Sequence, residues 1–412
     1  MRTIRFLLPA AGVLAACGVQ TPGAPAPSPA RDYLYLWTAS ADTAAPDFLA
    51  VLDVTEDTNA GGRYGRLVAT VPVPGRANLP HHTEHELSAG GRLFANGYGS
   101  GRTWIFDVSD PAAPSIAAEF RDLDGYTHPH SYLRLPNGNV LATFQMRHDT
   151  SGMRPGGLVE VAPDGRAVRS RSADAAGLDP ETRVYSAGIV PALDRIVTTT
   201  TDMAGSSDAS RQLQIWRLSD LSLLHTIVLP DGAAGGESRL TAEPRVLADG
   251  RTVLVSTFSC GLYLMEGLES AAPTARLVAS FPRKPRTYCA IPVVAGNYYL
   301  VTVPAWSAVV SLDISDPANP REVSRLTLGP DDVPHWIAIS PDQRRVVVTG
   351  YAAMKHRVVM ARFDSATGAL SLDDRFGEPG VAAPGFAMTG RSWPHGGNAD
   401  GIPHGAVFSR RR

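Results

Sequence analysis

The chain has 412 residues, long enough for one large domain or two medium ones. Its 38 basic and 40 acidic side chains nearly cancel, so the balance gives no sign of an electrostatic nucleic-acid partner. Thirty-nine glycines and 33 prolines indicate many turns and, with the β-branched runs, favour an all-β chain.

The first segment carries Arg2 and Arg5 ahead of a short apolar run that ends Leu14-Ala15-Ala16-Cys17. A basic start, an apolar stretch and small residues before a cut make a secretory signal, here residues 1–16. Cysteine directly after the small pair matches a bacterial lipobox, so Cys17 is expected to be lipidated (the alternative is an ordinary signal peptide with a chance cysteine). The run is too short for a transmembrane helix, and no other stretch approaches the roughly 18 apolar residues one needs. Residues 17–31 then read as a Pro/Ala-rich tether. The expected location is the cell envelope, facing the periplasm or the exterior, with the lipid anchor as the membrane contact. Export leaves Cys260 and Cys289 in an oxidising compartment, as a disulfide, as buried thiols, or with one thiol functional.

Residues 32–408 read as one repeating unit, followed by a basic tail at 409–412. One element is an apolar strand ending near an acidic or glycine-rich turn. It appears at Leu52-Asp53-Val54, Phe106-Asp107-Val108, Val159-Glu160-Val161, Trp216-Arg217-Leu218, Tyr263-Leu264-Met265, Leu312-Asp313-Ile314 and Arg362-Phe363-Asp364. The spacing of roughly 50 residues is that of four-stranded propeller blades. Asp107–Pro114 and Asp313–Pro320 are close twins.

A second element precedes each of these: a polar residue leading into a short apolar strand, a turn, and a β-branched strand. His130–Leu141 and His335–Val346 superimpose without a gap as far as the turn proline. Tyr185–Pro191, Glu243–Gly250, Tyr288–Gly296 and His82–Gly90 follow the pattern, and His404–Ser409 is a final copy holding only the first strand. The copies begin mid-blade at Tyr33–Trp37 and finish on a lone strand. The sequence therefore predicts a seven-bladed β-propeller whose C-terminal strand pairs with the N-terminal strands and closes the ring, which removes exposed sheet edges.

First strands of propeller blades line the central channel. The shared position reads His82, His130, Tyr185, Glu243, Tyr288 or Cys289, His335 and His404. Its four histidines fall on blades one, two, six and seven, which are contiguous once the ring closes. Neutral imidazoles without a thiolate suit copper, zinc, iron or nickel with an open coordination position. His81, His85 and His128 lie nearby in sequence as substitute or supporting ligands, and Glu84 and Glu86 could orient them. A lone histidine at a strand start is ordinarily a capped or half-exposed polar residue; four in one register make a metal site the sharper reading, against a polar channel mouth for an anion or a small polar ligand. Gly97–Gly101 leads into a strand and reads as a turn, not a phosphate loop. His85-Glu86 lacks the second histidine of a helical zinc-protease motif, and there is no Gly-x-Ser-x-Gly elbow.

Across residues 33–408 the chain resembles the selenium-binding protein and methanethiol oxidase family. Pro46–Val54 is similar to the family's opening strand, His81-His82-Thr83 to its His-His-Ser motif, and His128-Pro129-His130 to its second His-rich motif. Leu213–Trp216 and Asp313–Pro317 match further blade motifs, and His404 stands at the family's histidine near the C-terminus. The resemblance implies a seven-bladed propeller with histidine-bound copper that converts methanethiol and oxygen to formaldehyde, hydrogen sulfide and hydrogen peroxide. It would give the metal role to His81, His82, His130 and His404, with His128 the alternative in the second motif. Two departures stand out. Ser88 occupies the place of the family's selenium-site cysteine, and His335 stands where members often carry another residue.

The expectation is an exported, lipid-anchored metal oxidase of small thiols, copper being the metal and Tyr185 or Glu243 moving protons. The alternative is a non-enzymatic propeller that binds metal or ligand, for copper handling or as an interaction scaffold.

Overall fold

Two burial patterns explain why the strands stack as they do. Strands such as Phe48–Asp53, Val253–Thr257 and Arg345–Thr349 are buried along their whole length, whereas Ser115–Phe120 alternates exposed and half-buried. A strand with neighbouring sheets on both faces reads as a continuous apolar run; one at the outer rim meets solvent on alternate residues. The computed structural model describes residues 31–56, 64–149, 152–175, 178, 182–203, 210–282, 288–353, 356–377 and 384–410. Cys17 and the expected signal and tether up to residue 30 lie outside the described residues.

The strands form seven antiparallel blades, and the inner strands follow chain order around the axis. They are Pro80–Thr83, Tyr126–Arg134, Ala187–Val190, Thr241–Val246, Pro292–Ala295, Trp336–Ile339 and Gly401–Phe408, in blades one to seven. Each touches the next, and Gly401–Phe408 touches both Trp336–Ile339 and Pro80–Thr83. The seven apolar strand ends read in the sequence all fall on the third strand from the axis. Blade six carries a short extra strand, Phe386–Ala387. No helix among the described residues is long and apolar enough to cross a membrane.

Ring closure is as the repeat predicts. Gly401–Phe408 pairs antiparallel with Tyr33–Ser40, with Leu34 opposite Phe408 and Ser40 opposite Gly401. Between blades, apolar faces interlock; Trp37, Trp104, Trp216 and Trp336 are fully buried there. Polar groups reinforce the closing seam. The buried Arg345 of blade six pairs with Asp32 at 2.8 Å and donates to the Val54 carbonyl. Arg362 and Arg375 both hold Glu56 at 3.0 Å. Gly97–Gly101 is a hairpin turn between Arg92–Gly97 and Arg102–Asp107. Cys260 and Cys289 form a disulfide with Cα atoms 5.0 Å apart, one of the three states the sequence leaves open.

Arg345→Leu should cost about 3 kcal/mol, since it removes a buried ion pair and leaves a buried carbonyl without its donor. Urea denaturation checks this; a loss well under 1 kcal/mol would mean that the seam is held by apolar packing alone.

Candidate metal centre

Four inner strands carry a β-bulge at the register position singled out in the sequence. His81 and His82 together face Asn96; His130 and Ser131 face Thr143. Ala242 and Glu243 face Ser256, and His404 and Gly405 face Trp37. Two residues opposite one kink the strand and re-aim its side chains, here toward the axis. His82 and His130 are 0% exposed. Gly405 permits the approach of neighbouring strands: a Cβ there would lie 2.9 Å from Thr83 and 3.1 Å from the His81 carbonyl.

His81, His82 and His130 offer ligand atoms that all lie within 4.8 Å of one another. The His82 ring lies 4.1 Å from His130 and 4.4 Å from His81, in a near-parallel stack with the latter. His404 adjoins at 4.2 Å from His81, and His335 follows at 4.8 Å from His404. The five rings thus run in sequence, with a tight triad at one end and His335 at the other.

Hydrogen bonding assigns the ring protons. His130 Nδ1 donates to the Tyr185 carbonyl at 2.8 Å, which leaves Nε2 with its lone pair. His81 Nε2 lies 3.0 Å from that atom and donates to it, so one proton sits where a metal ion would take both nitrogens. His82 Nδ1 meets Ser131 Oγ at 3.2 Å, and its Nε2 is buried without a partner. Both nitrogens of His335 are likewise buried and unpartnered; those of His404 have only a loose approach to the His81 carbonyl. An unsatisfied buried polar atom costs about 1–3 kcal/mol, so these atoms fit a coordinated ion better than an apolar pocket. Burial pushes His130 and His335 down to about 3. Burial and the neighbouring imidazoles hold His81, His82 and His404 well below the usual histidine range. Neutral rings with free lone pairs are the state a transition metal binds.

Other expected residues lie around this group. Tyr185 packs its ring 4.0 Å from His130, with a buried, unpartnered hydroxyl held well above the usual phenol range by burial and by Glu243. Glu243 accepts from Ser186 Oγ and Arg245 Nη1, each at 2.7 Å. His85 is not in the cluster. It stacks on Trp336 at 4.5 Å, and its Nε2 accepts from Arg245 at 3.0 Å. Trp336 touches His82 at 4.9 Å and so stands between the two histidines. Beyond it lies a channel cavity of about 340 Å³, lined by His85, Arg245, Arg134 and apolar strand ends such as Val246, Val294 and Ile339. His128 also stays outside the triad, half-buried with a left-handed φ of 57° and its Nδ1 against Thr127. Glu84 is held by Arg134 at 2.7 Å, and burial pushes its carboxyl up to about 7. Glu86 is exposed, and Ser88 bonds the Arg92 carbonyl.

Two groups went unread in the sequence. The first is a ring of polar side chains on the second strands. Asn96 accepts from the His82 N–H at 2.6 Å, Thr143 from the Ser131 N–H at 3.0 Å, and Thr199 from the Ser186 N–H at 3.0 Å. Each also donates to the next blade: Asn96 to Pro129, Thr143 to Tyr185, Thr199 to Ala242. Thr302 and Thr349 donate to the carbonyls of His335 and His404. The second group is a tyrosine pair. Tyr98 lies 5.9 Å from His81; Tyr351, 43% exposed, lies 4.8 Å from His335 and 4.9 Å from His404. The signal was present: Arg92–Tyr98 and Arg345–Tyr351 align, each ending Gly-Tyr.

The cluster makes the metal-free fold acid-sensitive. Its imidazoles stay neutral when folded, but an unfolded histidine titrates near 6.5. Stability is therefore complete above pH 6.5 and falls as pH drops toward 3, by about 1.4 kcal/mol per pH unit for each buried imidazole. Urea midpoints at pH 7.5, 6.5 and 5.5 should decline accordingly, and His335→Leu should remove one imidazole's share of the slope. A flat profile would contradict the neutral cluster.

No family model matches the chain. Over 182 residues it is 25% identical to a methanethiol oxidase of Hyphomicrobium sp, covering 41% of this chain and 38% of that protein. Over 157 residues it is 31% identical to a methanethiol oxidase of Ruegeria pomeroyi, covering 36% of this chain and 34% of that protein. The matches span little more than a third of either relative's length. In three dimensions the chain is similar to the X-ray structure of a hypothetical selenium-binding protein from Sulfolobus tokodaii. The TM-score is 0.73 at 17% identity, over 93% of this chain and 94% of that one, a likeness of fold. In sequence segments and in fold alike, the chain resembles the methanethiol oxidase and selenium-binding protein family.

Proposed function

We propose that this protein is an exported, lipid-anchored, copper-dependent oxidase of methanethiol or a related small thiol. The observation that carries the reading is the buried triad of His81, His82 and His130, with ligand atoms within 4.8 Å of one another. The sequence likeness to methanethiol oxidases supports the thiol as substrate. An imidazole set without thiolate suits copper. His81, His82 and His130 would hold the ion, with His404 beside them and His335 at the edge. When bound, copper would supply a site for the substrate sulfur and one-electron exchange between thiol and oxygen. Tyr185, packed against His130, keeps its proton at neutral pH because burial and Glu243 oppose its ionisation, and so is available as a proton donor. Glu243 stays fixed by Ser186 and Arg245. Tyr98 and Tyr351 flank the rings. The signal-like start and the Cys260–Cys289 disulfide support export, with Cys17 as the lipid site.

One observation favours a second reading. The triad is nearly closed to solvent, which suits a propeller that holds metal without turnover.

Protein purified without added metal should contain stoichiometric copper and should consume oxygen only when methanethiol is supplied. Replacing His81, His82 and His130 together with alanine should abolish both. Bound copper without oxygen uptake would favour the second reading; absence of any transition metal would overturn both.

A further inference from the structure

We infer that Asn96 is a positioning residue that sets the spacing between His82 and His130, and through it the geometry of the metal centre. The inference rests on the metal reading of the triad. Asn96 is fully buried on the second strand of blade one, and its backbone carbonyl accepts from Trp37 Nε1 at 2.6 Å. Its side-chain oxygen accepts from the His82 N–H at 2.6 Å. Its side-chain nitrogen donates to the Pro129 carbonyl at 2.7 Å and approaches the His130 carbonyl at 3.3 Å. One amide therefore grips the backbone of both histidine bulges.

The corresponding positions of blades two and three carry Thr143 and Thr199. There a single hydroxyl oxygen both accepts from its own blade and donates to the next. An amide places its acceptor and donor on separate atoms two bonds apart, so it spans a wider gap than one oxygen can. Asparagine stands at the seam where both sides bear triad histidines. A threonine there would have to draw the two strands together or release one of them. Either shift moves a ligand, and groups that orient ligands typically change metal affinity by about 10–100-fold when altered.

The test compares the full-length chain with N96T and with Thr199→Val, which removes a staple that grips the backbone of Ser186 and Ala242 and of no histidine. Cupric ion is the probe, read by competition titration and by its electron paramagnetic resonance spectrum. N96T should bind it at least about tenfold more weakly, with altered hyperfine splitting. T199V should lower the melting temperature yet leave affinity and spectrum as in the parent. Equal affinity and an unchanged spectrum in N96T would overturn the inference, as would the same changes in T199V. If the parent takes up no cupric ion, the metal reading falls, and the spacing is decided on the metal-free protein. The ring ¹⁵N shifts of His82 and His130 should then move in N96T and not in T199V; shifts that stay put overturn it. Should N96T not fold, Asn96→Asp keeps the acceptor toward His82, loses the donors toward blade two, and is read the same way.

Discussion

Around the axis, the backbone has to satisfy itself where the inner strands bulge. A bulge leaves ladder groups without partners, and a buried N–H or carbonyl in that state is costly. Here the opposing second-strand side chain supplies the missing partner, and the same side chain reaches into the next blade. Asn96, Thr143 and Thr199 each close a bulge or strand start on one side and tie a neighbour on the other. Blade packing and site geometry are thus one hydrogen-bonded system. The apolar faces give the ring its cohesion; the polar ring fixes where each inner strand stands relative to the next.

That arrangement lets the protein keep costly groups at its centre. Five imidazoles without a counter-charge are tolerable because burial keeps them neutral. Buried side chains of the second strands hold the backbone of His82, His130, His335 and His404 in place. The pair of Arg345 and Asp32 ties blade six to blade seven, and the disulfide between Cys260 and Cys289 ties blade four to the segment entering blade five. Rigid strands, not loops, carry the triad, which suits a preorganised ligand set.

Much of this was legible in the sequence. The repeat gave the blades, and the strand counts at the two ends gave the closure, because a propeller leaves few ways to hide an edge. The histidine register survives as the inner ring. The staples did not announce themselves: Thr143, Thr199 and Thr302 sit in β-branched strands where threonine is an ordinary strand former, and only the cross-blade distance reveals the bond. Trp336 cannot be read as a divider from its position after His335, yet it places His85 on the cavity side. The cysteine pairing is not fixed by the sequence, since it depends on the approach of two loops.

The membership of the triad shows why a register alone falls short. Counting one residue per blade selects His82, His130, His335 and His404 as equals. In a regular strand, successive side chains point to opposite faces, so His81 would turn away from whatever His82 faces. The bulge cancels that alternation. With both residues set opposite Asn96, the two rings stack at 4.4 Å on the same side, and blade one contributes two imidazoles. His335 enters its strand without such a bulge in the pairing Trp336–Ile339 makes with Arg345–Thr349, and its ring packs against that of His404. The bulge opposite Asn96, not the number of histidines around the ring, therefore decides that blade one contributes two imidazoles to the triad.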